Sequence, residues 1–113
     1  MRMLIVDDEQ DIRESLAEFF QDQGYDVNTA ANGSEALIRL ESGERPGVIL
    51  LDLLMPIMNG RDLYNRLRAD PELDRIPIII LTSDPSRAPV GPLVLKKPVG
   101  LPQLLRVVRE VAF

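Results

Sequence analysis

Apolar positions along this chain fall into short blocks separated by longer periodic stretches. Met3 to Val6, Val48 to Leu51 and Pro77 to Leu81 are near-continuous apolar runs of buried-strand length. Asp26 to Ala30 alternates polar and apolar residues, as a half-exposed strand does. Leu93 to Leu95 is a fifth, shorter run. Helical spacing fills the gaps. Residues 9–23 put Ile12, Leu16, Phe19 and Phe20 on one face, and Gly24 can close that helix in the left-handed conformation. Residues 34–42 carry Ala36, Leu37 and Leu40, with Gly43 as the stop. Residues 60–69 predict a short helix, ended before Pro71, which biases Asp70 out of the helical region. Leu101, Leu104, Leu105, Val108 and Val111 mark a closing amphipathic helix.

Strict alternation of strand and helix predicts an α/β domain: a doubly wound, five-stranded parallel sheet covered on both faces. The continuous runs belong in the middle and the two weaker strands at the edges, which the strand order 2-1-3-4-5 satisfies. Such sheets bind ligands beyond the carboxyl ends of their strands, near the switch point, here between the first and third strands.

One connection does not fit. Residues 82–98 read TSDPSRAPVGPLVLKKP, so only residues 82–92 separate the fourth and fifth strands. A crossover with its helix needs at least about 10 to 12 residues. Pro85, Pro89 and Pro92 stand in the gap, and a proline inside a helix costs roughly 3 kcal/mol. Pro85 can start one turn at 86–88, which Pro89 and Gly91 would end. The crossover is therefore expected to be irregular, with its helix missing or vestigial. Eleven extended residues reach about 36 Å, so the connection can still be made.

Composition narrows the chemistry. The 113 residues suit one domain, 1–113. No run of 18 apolar residues predicts a membrane span, and MRMLIVDDE is not a secretory signal. Cysteine is absent, which excludes disulfides and fits a reducing cytoplasm. Histidine is absent too, so this chain has no imidazole base, no His metal ligand and no phosphohistidine. A net charge of -5 argues against direct nucleic-acid binding. Lys96 and Lys97 are the only lysines, against 11 arginines.

The candidate chemistry lies where the strands end. The first strand runs into Asp7 and Asp8, the third into Asp52, the fourth into Thr82 and Ser83, the fifth into Lys96 and Lys97. The topology gathers three carboxylates, a hydroxyl and an ammonium at one end of the sheet. Crowded carboxylates call for a hard divalent cation. Mg²⁺ takes oxygen ligands and keeps some waters, leaving room for phosphate oxygens. Asp52 can then attack phosphorus, with Lys97 offsetting charge and Thr82 donating to a phosphoryl oxygen. Ser83 is small enough to leave the approach open. Taken singly, each residue has a plainer role. Asp8 can cap the first helix, with Asp11 in a box-like arrangement. Asp7, Asp52 and Lys97 can be solvated charges, and Thr82 a turn former. Their shared placement favours the cluster.

LIVDDE at 4–9, VILLDLLMPIMNG at 48–60, IIILTS at 78–83 and KKP at 96–98 together carry a specific resemblance. The whole chain resembles the receiver domain of two-component response regulators, a flavodoxin-like fold. The order 2-1-3-4-5 is that family's own, so topology and resemblance are not independent. The resemblance implies that Asp52 accepts a phosphoryl group from the histidine of a sensor kinase or His phosphotransfer protein, or from a small acyl phosphate. It implies that Asp7, Asp8, Asp52 and the backbone carbonyl of Leu54 hold Mg²⁺ or Mn²⁺, and that Thr82 and Lys97 contact the phosphoryl group. The Lys97–Pro98 bond is expected to be cis. Leu54 and Asp84 occupy positions that tune water's access in this family.

The sequence departs from the family at the crossover, where the family's fourth helix belongs. An aromatic switch residue is usual three positions before the lysine, and here that position is Val94. The expected function is a phosphorylatable switch with a non-standard output surface, which acts on a downstream protein and is not a metabolic enzyme. No effector segment follows the closing helix in this sequence, so either a single-domain regulator or a piece of a longer protein is expected. One rival, a Mg²⁺-dependent phosphatase, needs a second acid two residues after the nucleophile, where Leu54 stands. The other, an interaction module independent of phosphorylation, is kept open by the altered crossover.

Overall fold

The computed structural model describes residues 1–112. Its elements are β1 (Arg2–Val6), α1 (Gln10–Asp22), β2 (Asp26–Ala30), α2 (Gly33–Glu41), β3 (Val48–Asp52), α3 (Gly60–Arg68), β4 (Ile78–Thr82), β5 (Leu93–Lys96) and α4 (Leu101–Val111). The five strands are all parallel, in the order β2-β1-β3-β4-β5. The weaker strands are the edges, as their patterns predict, and β3 and β4 are buried along their whole length. Thr82 and Lys96 extend β4 and β5 beyond the apolar runs that announced them.

Side chains alternate across the sheet, so each strand feeds two cores. Val48 and Leu50 of β3 pack with Met3, Ile5, Phe20, Leu104 and Val108 on the side of α1 and α4. Ile49 and Leu51 pack with Leu4, Val6, Leu40, Leu63 and Leu67 on the side of α2 and α3. Phe20 anchors α1 and meets Phe19 and Tyr25 edge to face. After α1 the chain reverses through Gly24, whose φ of 94° is open to glycine and strained for other residues.

Between β4 and β5 the structure has only one 3₁₀ turn, Pro85–Arg87. The crossover is thus a vestige, as the prolines predict. Asp84 caps this turn through its carboxylate, which accepts from the Ser86 N–H and hydroxyl. With no helix here, the sheet is covered differently. Tyr64 of α3 packs onto the α2–α3 core together with Ala88 and Val94. Its hydroxyl lies 3.1 Å from where a Cβ on Gly91 would sit, so the crossover chain passes close against the tip of this side chain. Arg68 stacks on the same ring, 5.0 Å from its centre.

Candidate functional site

Backbone pairing past the strand ends brings the site together. The Asp7 N–H donates to the Ala30 carbonyl and the Lys97 N–H to the Thr82 carbonyl, at 3.1 and 2.8 Å. Asp52 pairs with Leu81 across the sheet. Neighbouring strands therefore deliver Asp7, Asp52, Thr82 and Lys97 side by side. Asp8, Asp52, Leu54, Thr82, Ser83 and Lys97, with Glu9, line one cleft of about 280 Å³. Asp7 lies beneath it, 1% exposed.

The buried charges are held from both sides. Lys97 Nζ reaches Asp7 Oδ2 and Asp52 Oδ1, each at 3.3 Å. The other Asp7 oxygen accepts from the Glu9 N–H, and Arg13 donates to the Asp7 carbonyl. Burial pushes the Asp52 carboxyl up from 3.8 to about 6, against the pull of Lys97, and Asp7 and Asp8 add to the rise. Burial alone would lower the Lys97 ammonium, but Asp52 and Asp7 outweigh it and the net shift is upward. The Thr82 hydroxyl accepts from the Asp84 N–H at 3.1 Å, so it is turned toward its own loop.

Asp7, Asp8 and Asp52 each offer a carboxylate oxygen, all within 4.8 Å of one another. Ligands on an octahedral Mg²⁺ at about 2.1 Å lie roughly 3 to 4 Å apart, so modest movement of the exposed Asp8 closes the set. Three carboxylates and one ammonium leave a formal charge near −2. An all-oxygen set of that charge fits a hard dication.

Three residues stand elsewhere. Asp84 is exposed and engaged with Ser86, whose hydrogen bonds hold its carboxyl below the ordinary value. Val94 packs on the α2–α3 core. Pro98, after a cis peptide bond, faces the α1 side beside Ile12 and Leu16. The capping role for Asp8 is overturned: Glu9 is the N-cap of α1 and makes no side-chain cap bond. The carboxylate near that helix start belongs to Asp7, because Asp7 points inward under Glu9 while Asp8 faces solvent.

Two supports were not foreseen. A Cβ on Gly60 would lie 2.4 Å from the Asp52 carbonyl oxygen, so α3 starts hard against the backbone of Asp52. Arg13 anchors Asp7 from α1. The Asn59-Gly60 pair was a visible signal for the first, and nothing in the spacing marked the second. Ile57, in the loop after Asp52, has a φ of 72°, a conformation that a β-branched residue rarely takes.

Residues 3–91 match the family model for the response regulator receiver domain. The chain belongs to that family. The matched span stops within the shortened crossover, but other likenesses run further. The response regulator MprA of Mycobacterium avium (strain 104) is 37% identical over 118 residues, covering 98% of this chain and 50% of its own. Its counterpart in Mycobacterium leprae is 36% identical over the same shares. The receiver domain thus spans about half the length of these relatives. The alignment is longer than the 113 residues available, so this chain lacks residues that they carry. Among solved structures, the chemotaxis response regulator CheY4 of Vibrio cholerae superimposes with a TM-score of 0.86, at 34% identity and 97% coverage of both chains. The response regulator TrrA of Thermotoga maritima, solved in complex with Mg²⁺ and BeF, gives 0.85 at 32% identity and the same coverage. Among the described residues, no helix is long and apolar enough to cross a membrane.

Proposed function

We propose that Asp52 is the phosphoacceptor of a His-Asp phosphorelay. One observation carries this reading: Lys97 bridges Asp7 and Asp52 at 3.3 Å on the floor of a cleft with a third carboxylate at its rim. An Asp52 oxygen attacks the phosphorus of a phosphohistidine on a sensor kinase or His phosphotransfer protein, or of a small acyl phosphate. Lys97, already beside Asp52, moves onto the phosphoryl oxygens as negative charge builds there. Thr82 donates to another phosphoryl oxygen after leaving its bond to Asp84. Asp7, Asp8, Asp52 and the Leu54 carbonyl would hold Mg²⁺ or Mn²⁺, as the Mg²⁺ in the Thermotoga structure suggests. Bound there, the cation would supply charge that offsets the phosphoryl group.

Leu54, 48% exposed, stands at the mouth where water must pass, so it is placed to slow hydrolysis. Output to a downstream protein would use a surface other than the family's fourth helix, since that crossover holds one 3₁₀ turn. The test is intact mass after incubation with acetyl phosphate and Mg²⁺. Wild type should gain one phosphoryl group and Asp52→Asn none. A wild type that gains nothing, from acetyl phosphate or a cognate kinase, favours an interaction module independent of phosphorylation. Gain surviving in Asp52→Asn means another acceptor.

A further inference from the structure

Beside the acceptor cleft lies a second one, of about 390 Å³, lined by Leu53, Leu54, Asn59, Arg61, Ser86 and Arg87. Leu54 lines both, so one side chain separates them. Their charges differ. The acceptor cleft has Asp8 and Glu9 at its rim and Asp52 on its floor, with Lys97 committed to the buried carboxylates. The second cleft has two guanidinium groups. Arg61 has no ion pair among the described residues, and Arg87 has one long contact of 3.9 Å, to Asp84. Asp84 competes little, since this contact is long and both of its side chains are at least half exposed. Arg87 belongs to the single 3₁₀ turn of the shortened crossover and shares this cleft with Asn59 and Arg61 at the start of α3.

A phosphoryl donor entering at Asp52 must place the rest of its body somewhere. An anionic tail is repelled along the Asp8–Glu9 rim and attracted over Leu54 toward the arginines. We propose that Arg61 and Arg87 form a subsite for a second anionic group on a small acyl phosphate. The subsite favours donors that carry a carboxylate or phosphate at the end of a short tail. This rests on Asp52 being the acceptor. In the transfer, the bond from phosphorus to the acyl oxygen breaks and a bond from phosphorus to an Asp52 oxygen forms. The electron pair leaves with the acyl carboxylate, and no proton is needed.

The experiment compares acetyl phosphate with succinyl phosphate, which adds one carboxylate, by the rate of phosphoryl gain with Mg²⁺ at subsaturating donor. Wild type should favour succinyl phosphate by about 2- to 5-fold, the range expected for exposed charge-assisted contacts. In the Arg61→Ala/Arg87→Ala double variant the ratio of the two rates should fall toward one, while Arg87→Lys alone should keep part of it. Melting of the double variant checks that it folds. A non-transferring analogue, succinyl phosphonate, should shift the amide resonances of residues 59–61 and 86–87. Equal rates in wild type, a preference that survives the double variant, or shifts confined to the Asp52 side would each overturn the subsite. No gain from either donor would overturn the subsite, and the acceptor reading falls with it only if a cognate kinase also fails to phosphorylate the protein.

Discussion

Asp7, Asp52 and Thr82 are each under 10% exposed, and each is tied to Lys97, the two carboxylates through its ammonium and Thr82 through its carbonyl, which accepts from the Lys97 N–H. Val90, in the crossover between β4 and β5, is fully exposed. The two regions share one stretch of chain, yet one is fixed by many neighbours and the other by few. Strand pairing, Lys97 and the start of α3 converge on the first. A capped 3₁₀ turn and the Tyr64 ring support the second. The difference shows that the strand ends can keep a buried cluster of carboxylates, hydroxyl and lysine while the crossover beside them is reduced.

The sharpest way to break this contrast is to disturb each region once. Gly60→Ala drives a Cβ into the Asp52 carbonyl oxygen, and the cost should be about 3 kcal/mol, with Asp52 displaced. Val90→Ser should change stability by less than about 0.5 kcal/mol. Urea unfolding of both variants measures the gap, and similar losses would show that the crossover is as tightly held as the site.

A smaller effect comes from the burial of Asp52. A proton binds the folded carboxyl more tightly than the unfolded one, at about 6 against 3.8. Stability from this group is therefore fully present below 3.8 and is lost as pH rises through about 6. Without Mg²⁺, Asp52→Asn should stabilise the domain at pH 7.5 by about 1 to 2 kcal/mol, after allowance for solvent at the rim. The gain should fade toward pH 4. A melting series across pH checks it, and a gain independent of pH would mean that the carboxylate is not strained by burial.

Most of the fold was legible because buried strands write themselves as unbroken apolar runs. The acidic, hydroxyl and lysine positions were legible because parallel strands bring equivalent ends together. The proline-punctuated crossover was legible for the opposite reason, since local chemistry forbids a helix there. What stayed hidden depends on contacts between distant residues. Nothing local distinguishes Asp7 from Asp8, and only packing shows that Asp7 is buried under Glu9 while Asp8 is free. Tyr64 looked like one more residue of a short helix, and the structure makes it the cover for a missing one. Ile57 gave no sign of its left-handed backbone, because isoleucine is a residue that avoids it.

That last point yields the smallest prediction. Ile57 is 83% exposed, so replacing it loses little packing. Ile57→Gly relieves the strained φ and should stabilise the domain by about 1 kcal/mol in thermal unfolding. A loss instead would show that the side chain has a contact worth more than the strain.

The central claim is that phosphoryl transfer to Asp52, from a donor with no second anionic group, does not depend on the Pro89–Val90 part of the crossover. The direct measurement is the rate of phosphoryl gain from acetyl phosphate with Mg²⁺, in wild type and in Pro89→Ala/Val90→Ser, which alters the crossover without touching Asp84 or the cleft. The account predicts rates equal within about twofold, as for distant independent sites. A tenfold or greater drop, about 1.4 kcal/mol in barrier, would contradict it and make the crossover part of the site.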